Sequence, residues 1–430
     1  MSKFKSFFVF LILLVFSIPS LSFPKIDVIN QNDNYLLVTQ ESLPIIDLNI
    51  TFKTGSRHDG QFKGITNYSV NLLHQQIHKN EKFIDSLERI GATYSSNVTR
   101  DSSSLSIRFV NTDNNRHFIS NQINQMLNNR VISKKTFDLT KEALLDQVIS
   151  RDLGPSSLLS YKSNEIFFKN TGYAHPIIGY GKDIKRISIE NIVNHLNKII
   201  NLDNIKINIV GNINQRESAF FISNLLNGLP VTHKIDDVKY SLTSVNKSNV
   251  KFYSDSNQTH ISIMIPAITR KHKSFYNILV ANYILGGSGF GSMLMREIRE
   301  KNGLAYSIYS YLMPYKDIGV LMISMQTATS NSDKALTILL KQIDIFQNVE
   351  FTEKQIESAK LALIKGFSLR FDTNRKILNT LSAINEYGMH NDYYSEYIDG
   401  LKSVTKSTIT KSIKDNIRFN NIFISTAGRN

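Results

Sequence analysis

Residues 303–307 have the sequence Gly-Leu-Ala-Tyr-Ser, and residues 91–95 have the sequence Gly-Ala-Thr-Tyr-Ser. Each stretch follows a helix-like segment, supplies a glycine where that segment stops, and opens a strand with Tyr-Ser. Residues 204–211 (Asn-Ile-Lys-Ile-Asn-Ile-Val-Gly) likewise correspond to residues 421–428 (Asn-Ile-Phe-Ile-Ser-Thr-Ala-Gly). The first pair of landmarks is 212 residues apart and the second pair is 217. This nearly constant offset predicts two homologous domains.

The order of elements predicts the class of each domain. Residues 46–52 and 105–110 alternate apolar and polar side chains, which is typical of half-buried strands. Residues 333–347 and 352–369 have the periodicity of helices. Because strands and helix pairs are segregated without regular βαβ alternation, we predict an α+β fold in which a largely antiparallel sheet is covered by helices on one side. The predicted boundaries are 23–230 for the first domain, 231–249 for a linker and 250–430 for the second domain.

The first 22 residues have the pattern of a signal peptide. Lys3 and Lys5 form a basic start, residues 7–18 are apolar except for Ser17, and residues 20–22 are Ser-Leu-Ser. The apolar run is shorter than the roughly 20 residues needed to cross a bilayer. We therefore expect export across the inner membrane, a periplasmic location, and no stable membrane insertion after cleavage.

Composition excludes several kinds of site. The 430-residue chain contains no cysteine, so disulfides and thiolate metal sites are excluded and any metal needs histidine and carboxylate ligands. The net charge is +14, but the basic residues are dispersed along the chain. They form no basic stripe interleaved with aromatic residues, so we predict no nucleic-acid partner.

Several separated motifs resemble the M16 (pitrilysin/insulinase-like) zinc metallopeptidases, and they fall in the family's order over nearly all of the chain. They are Gly55-Ser56-Arg57, Gly64, residues 87–92 (Leu-Glu-Arg-Ile-Gly-Ala), Asn97, Thr99-Arg100-Asp101, the region 175–211, Leu285-Gly286-Gly287, residues 299–307 and Glu386-Tyr387-Gly388. The resemblance implies a two-domain half of a clamshell. It also implies a zinc site in which two histidines and a catalytic glutamate lie on the helix after Gly64, with a distal glutamate as the third protein ligand.

This chain lacks the residues that the family's zinc site requires. Alignment on Gly64 places Asn67 and Asn71 at the histidines and Val70 at the catalytic glutamate, and the family's spacing places Gln147, beside Asp146, at the distal ligand. Neutral amides are poor zinc ligands, and valine cannot accept a proton. We therefore expect no metal, no cofactor and no catalytic residue in this chain.

Other candidate sites are weaker. His74 and His78 have the i, i+4 spacing of two ligands on one helical face, but no glutamate lies between them, so we interpret them as polar helix residues. His175, before Pro176, is interpreted as a turn residue. The glycine-rich stretch 286–291 lacks the lysine and the strand context of a phosphate-binding loop.

The resemblance assigns substrate binding to Arg299 and Tyr306, which match an arginine and a tyrosine that the family uses to hold peptide. In two-subunit members, one chain carries zinc and the other carries this pair, so this chain resembles the second type. The implied partners are a zinc-bearing M16 homologue and a peptide substrate. Residues 94–99 correspond to the edge strand to which the family adds a substrate strand. The alternative is a stand-alone peptide-binding or structural envelope protein.

Overall fold

The structure is a computed structural model that describes residues 27–29, 35–78, 81–231, 238–242, 248–389 and 392–429. The predicted signal peptide lies outside the described residues. The first half contains β1 (Asp27–Ile29), β2 (Tyr35–Thr39), β3 (Ile45–Phe52), α1 (Ile65–Leu73), β4 (Ile77–His78), β5 (Glu81–Lys82), α2 (Phe83–Glu88), β6 (Thr93–Val98), β7 (Ser103–Val110), α3 (Asp113–Asn128), α4 (Lys134–Leu153), α5 (Pro155–Phe167), α6 (Gly181–Arg186), α7 (Ile189–Ile199), β8 (Ile205–Gly211) and α8 (Gln215–Leu226).

The second half contains β9 (Ser248–Tyr253), β10 (Gln258–Ala267), α9 (Phe275–Asn282), β11 (Ser307–Pro314), β12 (Gly319–Ala328), α10 (Ser332–Gln347), α11 (Glu353–Ser368), α12 (Asn374–Tyr387), α13 (Tyr393–Lys402), α14 (Lys406–Asn416) and β13 (Phe423–Gly428). The two helices predicted at 333–347 and 352–369 are confirmed as α10 and α11. Thr352 begins the second of these, because its hydroxyl accepts from the Gln355 N–H in a capping box. No helix in the described ranges is both long and apolar enough to cross a membrane.

Two sheets that share an order of five strands confirm the α+β prediction and the internal duplication. In the described residues the first sheet has the order β1-β2-β8-β3-β7-β6, and the second, read from its β9 edge, has the order β9-β13-β10-β12-β11. The five strands of the second sheet therefore correspond to β2, β8, β3, β7 and β6 of the first. Strand β8 pairs in parallel with β2, and β13 pairs in parallel with β9, whereas the other neighbours in both sheets are antiparallel. Strand β6, which contains Tyr94-Ser95, and strand β11, which begins at Ser307, are therefore equivalent edge strands.

The two halves exchange a helix. Helix α12 of the second half packs on β8 and β3 of the first sheet, while α5 of the first half packs on β10 and β13 of the second. The Ser382 hydroxyl on α12 donates to Asn49 Oδ1 at 3.0 Å, and the hydroxyls of Ser163 and Ser425 are 2.6 Å apart across the other contact. Each sheet is thus covered on its second face by a helix from the other half, so helices lie on both sides and the prediction of helices on one side is wrong.

The exchange corrects one prediction about β3. Its alternating sequence predicted a half-buried strand, but its residues from Ile46 onward are buried on both faces. The apolar side chains face the core of the first half, and the polar ones lie under α12. There Asn49 donates to Ser106 Oγ at 3.0 Å, and Thr51 donates to Asn49 Oδ1 at 2.7 Å. Because these polar groups find partners, their burial is tolerated.

Candidate functional site

The positions of the missing zinc ligands lie on α1. Gly64 precedes this helix in the left-handed region, at φ +98°, and a Cβ there would stand 2.4 Å from the Ile178 carbonyl oxygen. Only glycine fits such a position. The carboxylate of Asp59 accepts from the backbone N–H groups of Gly64, at 2.6 Å, and of Thr66, at 3.1 Å. Since these groups have no partner within the helix, Asp59 fixes where α1 starts.

His175 holds that cap in place. Its Nε2 is 2.9 Å from Asp59 Oδ2, and both side chains are buried. The prediction that His175 lies in a turn rather than a metal site agrees with this contact, but the structure adds a role. His175 positions the carboxylate that begins α1.

The side chains on α1 do not fit zinc. Asn71 Nδ2 donates to the Asn67 carbonyl oxygen at 2.8 Å and lies 3.3 Å from Asn67 Oδ1, so the two amides bind each other one helical turn apart. Val70 is buried in the apolar core. Gln147 and Asp146 are exposed on α4. Among the described residues, no three or more His, Cys, Asp or Glu side chains are grouped to hold a metal ion.

The helical spacing proposed for His74 and His78 is wrong. Helix α1 ends at Leu73, and His78 belongs to the short strand β4, which pairs with β5. The two histidines therefore do not share a helical face. The His74 ring packs on Tyr94 with 5.3 Å between ring centroids, and burial lowers the pKa of His74. This environment favours a neutral, packed imidazole.

Arg299 and Tyr306 are brought together as predicted. Arg299 lies on a π-helical turn, Met295–Lys301, which ends at Asn302 and is followed by Gly303 at φ +62°. Its guanidinium carbon is 5.0 Å from the ring centroid of Tyr306 and 4.6 Å from that of Phe290. Tyr306 is 83% exposed and Phe290 is 66% exposed. The cation thus contacts two exposed rings, and most of the Tyr306 side chain is accessible to solvent.

The contribution of Phe290 was not predicted. It lies in the glycine-rich stretch 286–291, which lacks the lysine and the strand context of a phosphate-binding loop. A large aromatic residue between glycines near an arginine was the available signal. The pairing depends on how this loop folds back toward the π-helical turn, which spacing alone does not give.

The Gly-Ser-Arg and Thr-Arg-Asp motifs of the first half meet the second half in a buried junction. Arg57 lies 3.3 Å from Asp101 through Nε and 2.5 Å from Asp317 through Nη1. The Tyr173 hydroxyl donates to Asp101 at 2.6 Å, and the Ser102 hydroxyl donates to Glu386 at 2.7 Å.

Part of the predicted linker reaches the same junction, since the Tyr240 N–H donates to Asp317 at 3.3 Å. The Arg57–Asp317 and Ser102–Glu386 contacts join residues 260 and 284 positions apart in the chain. The motifs Gly-Ser-Arg and Thr-Arg-Asp therefore fasten the two halves together.

Comparisons with known proteins agree with this architecture. Residues 186–363 match the sequence model of the family described as the peptidase M16 inactive domain. The chain is 23% identical to the non-peptidase homolog YmxG of Helicobacter pylori over 302 residues, which is 70% of this chain and 69% of that protein.

It is 20% identical to the uncharacterized zinc protease YmxG of Bacillus subtilis over 339 residues, 77% of this chain and 81% of that one. The crystal structure of a peptidase M16 inactive domain from Pseudomonas fluorescens is similar with a TM-score of 0.88 at 22% identity, covering 94% of this chain and 98% of that chain.

Proposed function

We propose that this chain, which is an inactive homologue of the M16 peptidases, is the non-catalytic subunit of an exported peptidase pair. A homologous partner carries the zinc and the catalytic base, and this chain supplies Arg299 and Tyr306 to the peptide substrate. The pattern of the first 22 residues supports export to the periplasm. The observation that carries the proposal is the contact between the half-buried Arg299 and the exposed ring of Tyr306.

The chemistry of the pair fits substrate binding. A guanidinium donates to peptide carbonyl oxygens, and the two flanking rings hold it in one orientation by cation–π contact. A phenol donates to the oxyanion that develops when an amide is attacked. Because Tyr306 is exposed and its ring is held by Arg299, its hydroxyl is available to a substrate on a facing subunit.

The test is a peptidase assay on the reconstituted pair with Tyr306→Phe. The change removes one hydroxyl from an exposed ring, so assembly is expected to survive. Loss of one oxyanion donor is expected to lower kcat by about 10²–10³. Tyr253→Phe is the matched control, since Tyr253 is also exposed, at 66%, but lies on the far edge strand β9.

Arg299→Ala is expected to raise KM if its contact is equally strong in the ground state and the transition state. Arg296→Ala, an exposed arginine on the same turn, is the control. An unchanged rate with both Arg299 and Tyr306 replaced would show that they are structural only. Failure to associate with any co-exported homologue would instead favour a stand-alone binding protein.

The proposal also predicts that the purified chain holds no stoichiometric zinc and hydrolyses no peptide. Asn67 and Asn71 bind each other, and Val70 offers no base. Metal analysis after dialysis against zinc is expected to give well under one ion per chain. One tightly held zinc that disappears in a His74→Ala variant would contradict this and restore a histidine site.

A further inference from the structure

A polar cleft of about 720 Å³ lies between the first sheet and α12. Helix α12 covers β8 and β3 but leaves the outer strands β7 and β6 open. The outward side chains of these two strands form the open part of the floor, and most of them are small hydroxyl or amide residues: Thr93, Ser95, Asn97, Ser104 and Ser106. Asn49 and Thr51 of β3 line the cleft where it meets α12. Because α12 does not cover the side chains on β6 and β7, their hydroxyl and amide groups are free to donate to and accept from a polar ligand.

One face of α12 forms the wall of the cleft. Arg375, Asn379, Ser382 and Glu386 are spaced by four, three and four residues, which places them on one side of the helix, and all four line the cleft. At 1.5 Å per residue the stripe from Arg375 to Glu386 is about 16 Å long. An extended peptide advances about 3.3 Å per residue, so about five residues span it.

The two ends of the cleft carry opposite charges. Helix α12 runs in the same direction as β3, because Ser382 donates to Asn49 and Glu386 accepts from Ser102, beside the end of β3. Arg375 therefore lies toward the Asp47 end. There the Arg108 guanidinium is bound to Asp47 through Nε at 2.8 Å and Nη2 at 3.0 Å. Arg375 is exposed, and no described carboxylate forms an ion pair with it.

We propose that this cleft binds a short peptide of about five residues with free ends, its carboxylate at Arg375 and its amino group at Glu386. The ends of such a peptide match two opposite charges separated by the length of the cleft. Its main-chain N–H and C=O groups match the neutral hydroxyls and amides of the floor. A neutral saccharide of the same size would use neither charged end. The site belongs to this chain alone and does not depend on the proposed partner.

The test uses the purified full chain, immobilised, and an equimolar library of pentapeptides with free ends. Retained peptides are quantified by mass spectrometry and compared with the same library N-acetylated, C-amidated or blocked at both ends. Retention is expected to fall at least tenfold when either end is blocked. Among free peptides of three to eight residues, retention is expected to be greatest near five.

Two variants test which end of the peptide each charged residue binds. Arg375→Gln is expected to abolish the preference for a free carboxylate and to keep the preference for a free amine, and Glu386→Gln is expected to do the reverse. Lys354→Gln, which removes an exposed charge on α11, is the control and is expected to retain peptides as the unaltered chain does. Equal retention of free and doubly blocked libraries would overturn the proposal. Because Arg375 is exposed, its variant tests the site even if Glu386→Gln fails to fold.

Discussion

Tyr94 and Tyr306 occupy the same position in the two copies of the landmark, yet their environments are opposite. The Tyr94 ring packs against His74 and meets the Phe83 ring edge-on at 5.6 Å, and burial raises the pKa of Tyr94. Tyr306 contacts Arg299 and is otherwise exposed. In the first half, α1 and α2 close over the start of β6, whereas in the second half a π-helical turn precedes β11. The repeated Tyr-Ser sequence therefore places one tyrosine in a packed environment and leaves the other exposed.

The largest effect that separates the two tyrosines is on stability. Tyr94→Ala removes a ring packed against two others and is expected to cost about 2–3 kcal/mol in the free energy of unfolding. Tyr306→Ala removes an exposed ring with one cation–π contact and is expected to cost less than about 1 kcal/mol. Urea denaturation of both variants measures the difference. Equal losses in the free energy of unfolding would contradict the contrast between a packed Tyr94 and an exposed Tyr306.

Chemical modification sharpens the same contrast. Tetranitromethane nitrates accessible tyrosines, and peptide mapping of the folded chain is expected to find Tyr306 modified at least tenfold faster than Tyr94. Tyr253, which is also exposed, serves as the reference for an accessible ring. Comparable nitration rates at positions 94 and 306 would mean that the Tyr94 ring is accessible to the reagent in the folded chain.

The smallest expected effect is the pH dependence of stability that arises from Glu386 on α12. Burial raises the pKa of Glu386, the Ser102 hydrogen bond lowers it, the charge of Asp101 raises it and that of Lys316 lowers it. A carboxyl with a raised folded-state pKa contributes stability at low pH, and this contribution is lost as the pH rises through that pKa.

Glu386→Gln keeps the neutral form at every pH. The stability of this variant relative to the unaltered chain is therefore expected to be greater at pH 7 than at pH 4. Glu142→Gln, at an exposed position on α4, controls for the loss of a charge. A relative stability that is the same at both pH values would show that Glu386 is well solvated.

The duplication, the α+β class and the helices α10 and α11 were predictable from the sequence, because they follow from local periodicity and from glycine stops. The proximity of Arg299 and Tyr306 was predictable as well, since only six residues separate them. The positions of His74 and His78 were not, because their spacing fits a helix equally well. The chain leaves α1 at Leu73, and the residues that follow pair as β4 and β5 instead.

The amino-acid sequence by itself determined what α1 lacks, because no arrangement of Asn67, Val70 and Asn71 supplies a zinc ligand set or a base. Only the tertiary structure decided how the polar face of β3 is used. Ser382 reaches Asn49 across 333 positions of chain, and no local pattern encodes so distant a contact. The same exchange of α12 buries Asn49, leaves β6 and β7 open and places Glu386 and Arg375 at opposite ends of one cleft. Physically, periodicity fixes which face of an element is polar, but the packing of the two halves fixes what that face meets.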